Sequence, residues 1–163
     1  MKLLLLASIA SLTLFGAGEY SNRRAPGFSL ADSKFVQHDP QDYRGKVLIV
    51  DFIQTTCEIC LNLTQNLVQV QQKYGDKIGI LSITTLPDNY QKGDAYAKAH
   101  HVAWPVLFDS GQVMVSYLKM TPANPTVRFP HIFFIDRNGM IRADFEGAVS
   151  ADEISAEIDK LSK

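Results

Sequence analysis

The amino-acid sequence predicts an α/β fold in which helices flank a central mixed β-sheet. An apolar run of strand length, Val47–Ile53, is followed by apolar residues at the three-to-four spacing of a helix face. A second run, residues 78–84, alternates isoleucine with small residues, as a buried strand does. A third, His131–Ile135, leads through a tight turn at residues 136–139 into a return strand at residues 140–145. Strands that alternate with helices, then close with a hairpin and a helix, predict a mixed sheet.

Turn residues and capping signals predict the segments between these strands. Gly75 stands where the first helix should end. The stretch Ser150-Ala-Asp-Glu153 is a capping box that opens a last helix ending near Leu161. The other predicted elements are, in chain order, a loose leader at residues 19–26, edge pieces at 27–30 and 34–37, a loop at 41–46, a polar loop at 87–93, a helix at 94–101, an apolar piece at 105–108, a helix at 111–118 and a loop at 121–128.

Length and composition are those of one globular domain. The chain has 163 residues, of which 46% are hydrophobic and 20% charged, and its net charge is −1. A domain of this size buries a full core without disulfide staples, so we expect its two cysteines to perform chemistry. The small net charge gives no reason to expect a nucleic-acid partner.

The N-terminus has the pattern of a secretory signal peptide. Met1-Lys2 is a short positive start, residues 3–15 are mostly apolar, and Gly16-Ala17-Gly18 supplies small residues for cleavage. The apolar run is short for a membrane span, and no cysteine follows it for lipid attachment. We expect a signal peptide at residues 1–18 and a mature domain at residues 19–163, located in an oxidising secreted or periplasmic space. If the segment is not cleaved, it would anchor the protein to a membrane.

The only two cysteines lie where the central strand is predicted to pass into the first helix. Cys57 and Cys60 are separated by Glu58 and Ile59, a spacing at which a disulfide can close. A helix N-terminus stabilises a thiolate, so Cys57 is the expected nucleophile that forms a mixed disulfide with a substrate. Cys60 is expected to resolve that mixed disulfide. The alternative is a pair of inert thiols or a structural disulfide, although so small a loop adds little stability.

Two carboxyl groups accompany this pair. Asp51 stands in an apolar run, so loss of solvation should raise its pKa and allow it to accept the proton of Cys60. Its alternative role is that of a strand-end residue that faces solvent or bonds the backbone. Glu58 places a negative charge beside Cys57 and also complements the helix dipole, so its modulating effect on the thiolate has no fixed sign.

Several stretches match the pattern of a known family. The residues Ile49-Val-Asp-Phe52 precede a C-x-x-C motif whose first cysteine comes six positions after the aspartate. The residues Val127-Arg-Phe-Pro130, with the following Ile-Phe-Phe-Ile, match a cis-proline loop and its strand, and Asn138-Gly139 and Gly147 match a hairpin turn and a strand-closing glycine. With these features the chain resembles the thioredoxin-like thiol–disulfide oxidoreductases over nearly its whole mature length.

Two further segments resemble the secreted branch of that family. They are the start Ala25-Pro-Gly-Phe-Ser-Leu30 and an extra segment at about residues 89–124. The secreted branch includes cytochrome c maturation reductases and relatives of the peroxiredoxins. The resemblance therefore implies a thioredoxin-like domain at residues 19–163 with an N-terminal extension and a central insertion.

The resemblance also implies an activity and a set of site residues. Cys57 and Cys60 would form a redox-active disulfide without a further cofactor, exchanging with protein thiols or disulfides and with an upstream electron donor or acceptor. Pro130 is expected to be cis in a loop that faces the cysteines, with Thr56, Phe129 and Pro130 in contact with substrate. An ordinary trans proline and a packing role for Phe129 are the alternatives.

Three departures from the family pattern affect substrate class and redox potential. Thr56 stands where the family usually has tryptophan, and Glu58-Ile59 contains no proline. Phe129 precedes Pro130 where thioredoxins have a small or β-branched residue. The nucleophile, its partner cysteine and the proline are unaffected.

Two other functions remain as alternatives. A peroxiredoxin-like peroxidase would have a threonine three residues before its reactive cysteine and a proline further back, where this chain has Gln54 and Ile53. A copper-binding chaperone of thioredoxin-like fold would use both cysteines and a histidine, for which His131 is the candidate, but such chaperones have one more residue between the cysteines. Leu61 follows Cys60 where a haem attachment motif has histidine, so covalent haem is excluded.

The first prediction concerns export. Because small residues follow the apolar run, we expect signal cleavage to leave a mature N-terminus between Ala17 and Tyr20. N-terminal sequencing of the exported protein measures this directly. A chain that still begins at Met1 would show that the segment is an anchor.

Overall fold

The computed structural model describes residues 18–163, so the predicted signal peptide, apart from Gly18, lies outside the described residues. None of the helices within this range is long and apolar enough to span a bilayer. The strands and helices are, in chain order, β1 (Arg23–Arg24), β2 (Leu30–Ala31), β3 (Gln37–His38), β4 (Val47–Ile53), α1 (Glu58–Tyr74), β5 (Ile78–Thr85), α2 (Tyr90–Ala99), β6 (Val106–Asp109), α3 (Gln112–Tyr117), β7 (His131–Ile135), β8 (Met140–Glu146) and α4 (Ala151–Leu161).

A six-stranded mixed sheet forms the centre of the fold, in the spatial order β1, β8, β7, β4, β5, β6. Strand β4 pairs in parallel with β5, which pairs in parallel with β6. On its other side β4 pairs antiparallel with β7, and the β7–β8 hairpin and β1 complete the sheet. The predicted α/β fold with a mixed sheet is therefore confirmed, and the main strands end within one residue of their predicted bounds.

Strand β4 is buried on both faces of this sheet, which explains why all of its residues except Asp51 are apolar. Successive side chains of a strand point to opposite faces. Val47 and Ile49 join a core with α1 and α4, whereas Leu48, Val50 and Phe52 join a second core on the opposite face. Two segments cover that second core. Tyr117 of α3 and the following Leu118 pack on it from one segment, and Phe28 packs on it from the N-terminal segment.

The two longest helices begin and end at the predicted signals. α1 is followed by Gly75, whose φ of 53° lies in the region that glycine adopts most readily. α4 is opened by the predicted capping box, in which the Ser150 hydroxyl accepts a hydrogen bond from the Glu153 amide at 3.2 Å. The Glu153 carboxylate in turn accepts one from the Ser150 amide at 2.8 Å.

The predicted loop at residues 87–93 is wrong at its C-terminal end. α2 already begins at Tyr90, because the Asn89 side chain accepts a hydrogen bond from the Lys92 amide at 2.9 Å and caps the helix. Gly93, which was assigned to that loop, is instead buried within the helix. A Cβ at this position would lie 3.3 Å from a methyl of Val106, so glycine permits close packing of α2 on β6.

Two N-terminal predictions are also corrected. The segment at residues 41–46 was predicted to be a loop throughout, but its first part belongs to a short 3₁₀ helix, Pro40–Tyr43, capped by Asp39. The segment at residues 19–26 was predicted to be a loose leader, but it contains β1, which pairs with β8.

A buried carboxylate holds this N-terminal segment in place. Asp144, on β8, accepts hydrogen bonds from the Tyr20 amide at 3.0 Å and from the Ser21 hydroxyl at 2.9 Å. Its second oxygen lies 3.1 Å from His131 Nε2, and both side chains are buried. Gly18 approaches Asp144 so closely that a Cβ there would clash. The sequence of the leader did not reveal these contacts, because their partner Asp144 is more than 120 residues away along the chain.

The second prediction concerns this anchor. Asp144→Ala would leave the buried His131 ring nitrogen, the Ser21 hydroxyl and the Tyr20 amide without their acceptor, so we expect a loss of about 3–5 kcal/mol in the free energy of unfolding. Chemical denaturation measures this loss, and hydrogen exchange should show faster exchange of the β1 amides.

Arg142→Ala is the matched control, because it removes an exposed ion pair with Asp136 from the same strand. This substitution should lower the free energy of unfolding by about 1 kcal/mol or less. Equal effects of the two substitutions would show that Asp144 is not an anchor.

Candidate active site

The two cysteines form a disulfide at the N-terminus of α1, with their Cα atoms 5.2 Å apart. Cys57 is the N-cap residue, and its sulfur accepts a hydrogen bond from the Cys60 amide at 3.1 Å. The partial positive charge at the N-terminus of α1 is therefore close to the sulfur of Cys57. Cys57 is partly exposed, whereas Cys60 is fully buried. Only the first cysteine is thus accessible to a large partner.

The apolar face of α1 determines which of the two cysteines is buried. Leu63, Leu67 and Val70 are buried against the sheet, and Cys60 lies on the same side, against Ile53 and Tyr96. Glu58 and Ile59 fall between the buried positions and are exposed.

Asp51 lies on the sheet face that α1 covers, and it is completely buried. In the strand register it stands between Ser82 of β5 and Ile132 of β7. Burial raises the pKa of Asp51 to about 7, and a hydrogen bond donated by Ser82 at 2.8 Å limits this rise. Among the described residues, the other carboxyl oxygen of Asp51, Oδ2, has no hydrogen-bond partner.

Sequence reasoning missed the groups around Asp51. Trp104 Nε1 donates a hydrogen bond to the Ser82 hydroxyl at 2.8 Å. The Tyr96 hydroxyl bonds the Thr64 hydroxyl at 2.8 Å, next to Cys60. Burial raises the pKa of Tyr96, and the Asp51 charge adds to this rise. Ser82 could have been found as a polar residue between two apolar residues of a buried strand, but Tyr96 and Trp104 carry no local sequence signal.

Asp88 is a further residue that the sequence did not reveal, and it holds the loop before the cysteines. Its carboxylate accepts hydrogen bonds from the Thr55 amide at 2.8 Å and the Thr55 hydroxyl at 2.6 Å. Asp88 is buried, two residues after Leu86 in the loop that follows β5. Because β4 and β5 are parallel, their C-terminal loops meet at one edge of the sheet, and Asp88 ties them together.

The proline loop reaches the same edge. The Phe129–Pro130 peptide bond is cis, and so is the Leu86–Pro87 bond, which the sequence did not predict. Residue 131, which follows Pro130, pairs with Phe52 near the end of β4. Phe129 is partly buried and packs against the Cys57–Cys60 cluster, whereas Thr56 is exposed.

His131 is not brought to the cysteines. Its ring nitrogen bonds Asp144, and the ring stacks on Phe133 with centroids 4.6 Å apart. Phe133 belongs to the core on the sheet face opposite α1. Within residues 18–163, the structure contains no group of three or more His, Cys, Asp or Glu side chains that could hold a metal ion.

Comparison with known proteins places the chain in a family. The Redoxin family model matches residues 20–160. The thioredoxin-like protein YneN of Bacillus subtilis is 23% identical over 144 residues, which cover 87% of this chain and 81% of YneN. The thiol–disulfide oxidoreductase ResA of Geobacillus thermodenitrificans is 24% identical over 140 residues, covering 84% of this chain and 75% of ResA.

The fold has close counterparts among solved structures. A thioredoxin-family thiol:disulfide interchange protein from Chlorobium tepidum superposes with a TM-score of 0.77 at 20% identity, covering 86% of this chain and 97% of that protein. The match confirms the thioredoxin-like fold, with the disulfide at the strand–helix junction where the sequence predicted it. The chain belongs to the Redoxin family, as a thioredoxin-like thiol–disulfide oxidoreductase.

Proposed function

We propose that the protein exchanges the Cys57–Cys60 disulfide or dithiol with cysteines of extracytoplasmic proteins. The observation that carries this is the pairing of a partly exposed Cys57 at a helix N-terminus with a fully buried Cys60. An N-terminal segment with the pattern of a signal peptide supports an extracytoplasmic location. The exchange needs no cofactor beyond the cysteine pair, together with an upstream electron donor or acceptor.

The first step uses the exposed cysteine. The Cys57 thiolate, stabilised by the amides of α1, attacks one sulfur of a substrate disulfide. A bond forms between Cys57 and the substrate, the substrate disulfide breaks, and its second sulfur leaves as a thiolate. The product is a mixed disulfide on Cys57.

The second step uses the buried cysteine and Asp51. Cys60 must lose its proton before it can attack, and the Asp51 carboxylate accepts that proton. The Cys60 thiolate then attacks the Cys57 sulfur, which closes the Cys57–Cys60 disulfide and releases the second substrate thiolate. Two electrons pass from the protein dithiol to the substrate disulfide, and every step is reversible.

Exposed apolar side chains in the cysteine motif and in the loop bonded to Thr55 suit a protein substrate. Ile59 lies between the cysteines and its side chain is 49% exposed. Leu86, in the loop that follows β5, is 65% exposed. With Phe129, Pro130 and Thr56 they would contact the substrate chain on either side of its cysteine. Burial of these apolar side chains against a client segment would remove them from water, which favours binding.

The third prediction concerns the two cysteines. Cys60→Ser should accumulate mixed disulfides with client proteins through Cys57, because the resolving thiol is absent. Cys57→Ser should accumulate none, because Cys60 is buried and cannot reach a client. Non-reducing gels of the exported variants measure both.

The same preparations separate the alternative functions. Insulin reduction should proceed in the wild type, whereas peroxide turnover or tight copper binding without insulin reduction would contradict the proposed activity. Equal trapping by both cysteine variants would contradict the assigned roles.

The fourth prediction concerns Asp51. Asp51→Asn removes the proton acceptor, so the mixed disulfide should form at a near-normal rate and resolve slowly. Stopped-flow kinetics with a disulfide peptide time the two steps separately. Unchanged resolution with slower attack would show that Asp51 tunes Cys57 instead.

Asp51→Asn should also change the pH dependence of stability. A carboxyl whose pKa rises from about 4 unfolded to about 7 folded destabilises the native state increasingly as the pH rises between these values. The amide does not ionise, so the variant should gain stability over the wild type across this range, up to a difference on the order of 4 kcal/mol. At acid pH the two should converge. Denaturation midpoints at several pH values measure the difference.

A further inference from the structure

A buried chain of hydrogen bonds reaches Asp51 from outside the cysteine motif. Trp104 lies in the loop before β6, Ser82 on β5 and Asp51 on β4, so the hydrogen bonds link two neighbouring strands and the loop that leads into a third. Both donor–acceptor distances are 2.8 Å. All three side chains are at most 9% exposed, so water does not compete with these bonds.

The chemistry of the donors sets the direction of this chain. An indole N–H only donates, so the Ser82 hydroxyl must accept from Trp104. A hydroxyl has one proton, and the geometry directs it to Asp51 Oδ1. Oδ1 therefore accepts a hydrogen bond in this arrangement, and a proton arriving at the carboxyl must settle on Oδ2, the oxygen without a partner among the described residues.

We propose that Ser82 and Trp104 are positioning residues for thiol–disulfide exchange, which make Oδ2 of Asp51 the oxygen that receives the Cys60 proton. Ser82 stabilises the charged carboxylate, and Trp104 keeps the Ser82 proton directed toward it. The hydrogen bonds of both residues lead to Asp51, so both act through its carboxyl. This role rests on the exchange proposed above.

Other titratable groups face Asp51 and need separate treatment. The cysteines of α1 are joined in the oxidised protein and do not titrate there. Tyr96 of α2 is electrostatically coupled to Asp51, but its own raised pKa lies far above that of the carboxyl. Ile132 of β7 brings no charge. In the oxidised protein, the carbon-13 signal of the Asp51 carboxyl therefore reports Asp51 alone.

The fifth prediction concerns the Asp51 titration. Ser82→Ala removes a hydrogen bond to the charged form, so the midpoint should move upward by about one pH unit or more. Trp104→Phe should move it in the same direction by less, because the hydroxyl remains but is free to turn. Ser82→Thr keeps the hydroxyl and should retain the wild-type midpoint. Carbon-13 NMR of the oxidised variants measures all three.

Thr84→Val is the matched control. Thr84 lies two residues further along β5 on the same face, and its buried hydroxyl donates to the Leu107 carbonyl at 3.0 Å instead of to Asp51. Its loss should leave the Asp51 midpoint unchanged. If Ser82→Ala and Trp104→Phe also leave it unchanged, Ser82 and Trp104 only pack the core and the inference is overturned. Should Ser82→Ala fail to fold, the midpoint of Trp104→Phe decides alone.

The pH dependence of the exchange kinetics distinguishes a positioning role of Ser82 from a general structural effect of its substitution. The pH profile for resolution by Cys60 should shift upward in Ser82→Ala, with slower resolution near neutral pH and recovery at higher pH. A uniform loss at every pH would indicate a structural effect and would contradict the proposed role. If the wild type fails to exchange disulfides at all, the proposed function fails, whereas the Asp51 titration still reports the hydrogen-bond chain.

Discussion

Burial of β4 on both faces is the constraint on which the rest of the structure depends. Because both sides of the strand are covered, its course through the sheet is determined by packing. Its C-terminal end delivers the chain to the first turn of α1, where Cys57 becomes the N-cap. The alternation of side chains along the same strand also turns Asp51 toward the face that α1 covers. The disulfide and the buried carboxyl therefore have one structural origin.

Placing a carboxyl in that position opposes stability. An ionised Asp51 has lost its hydration, and the hydrogen bonds from Ser82 and from its own backbone compensate for this loss only in part. A fully compensated carboxylate would have a low pKa and would be a poor acceptor for a thiol proton near neutral pH. Partial compensation keeps the pKa of Asp51 near neutral, as the proposed proton transfer requires, and within residues 18–163 Oδ2 has no partner that would occupy it.

The loops that follow β4 and β5 are held by contacts outside the cysteine motif. Asp88 receives two hydrogen bonds from Thr55, so the segment that approaches Cys57 is tied to the loop after β5. The parallel pairing of β4 and β5 is what brings these loops together. In the proposed function, the exposed side chains of Ile59 and Leu86 contact the client from these tied segments.

The amino-acid sequence alone determined the order of the main strands and helices, the cysteine pair at a helix start and the burial of Asp51. These features are local, since apolar periodicity, caps and motif spacing all lie within short stretches of chain. The tertiary structure decided the contacts between distant segments. Ser82 meets Asp51 through strand register, Trp104 reaches Ser82 from the adjoining segment, and His131 turns to Asp144 on the opposite side of the sheet. Pairings of this kind depend on how strands align in space, and no residue pattern within one segment specifies them.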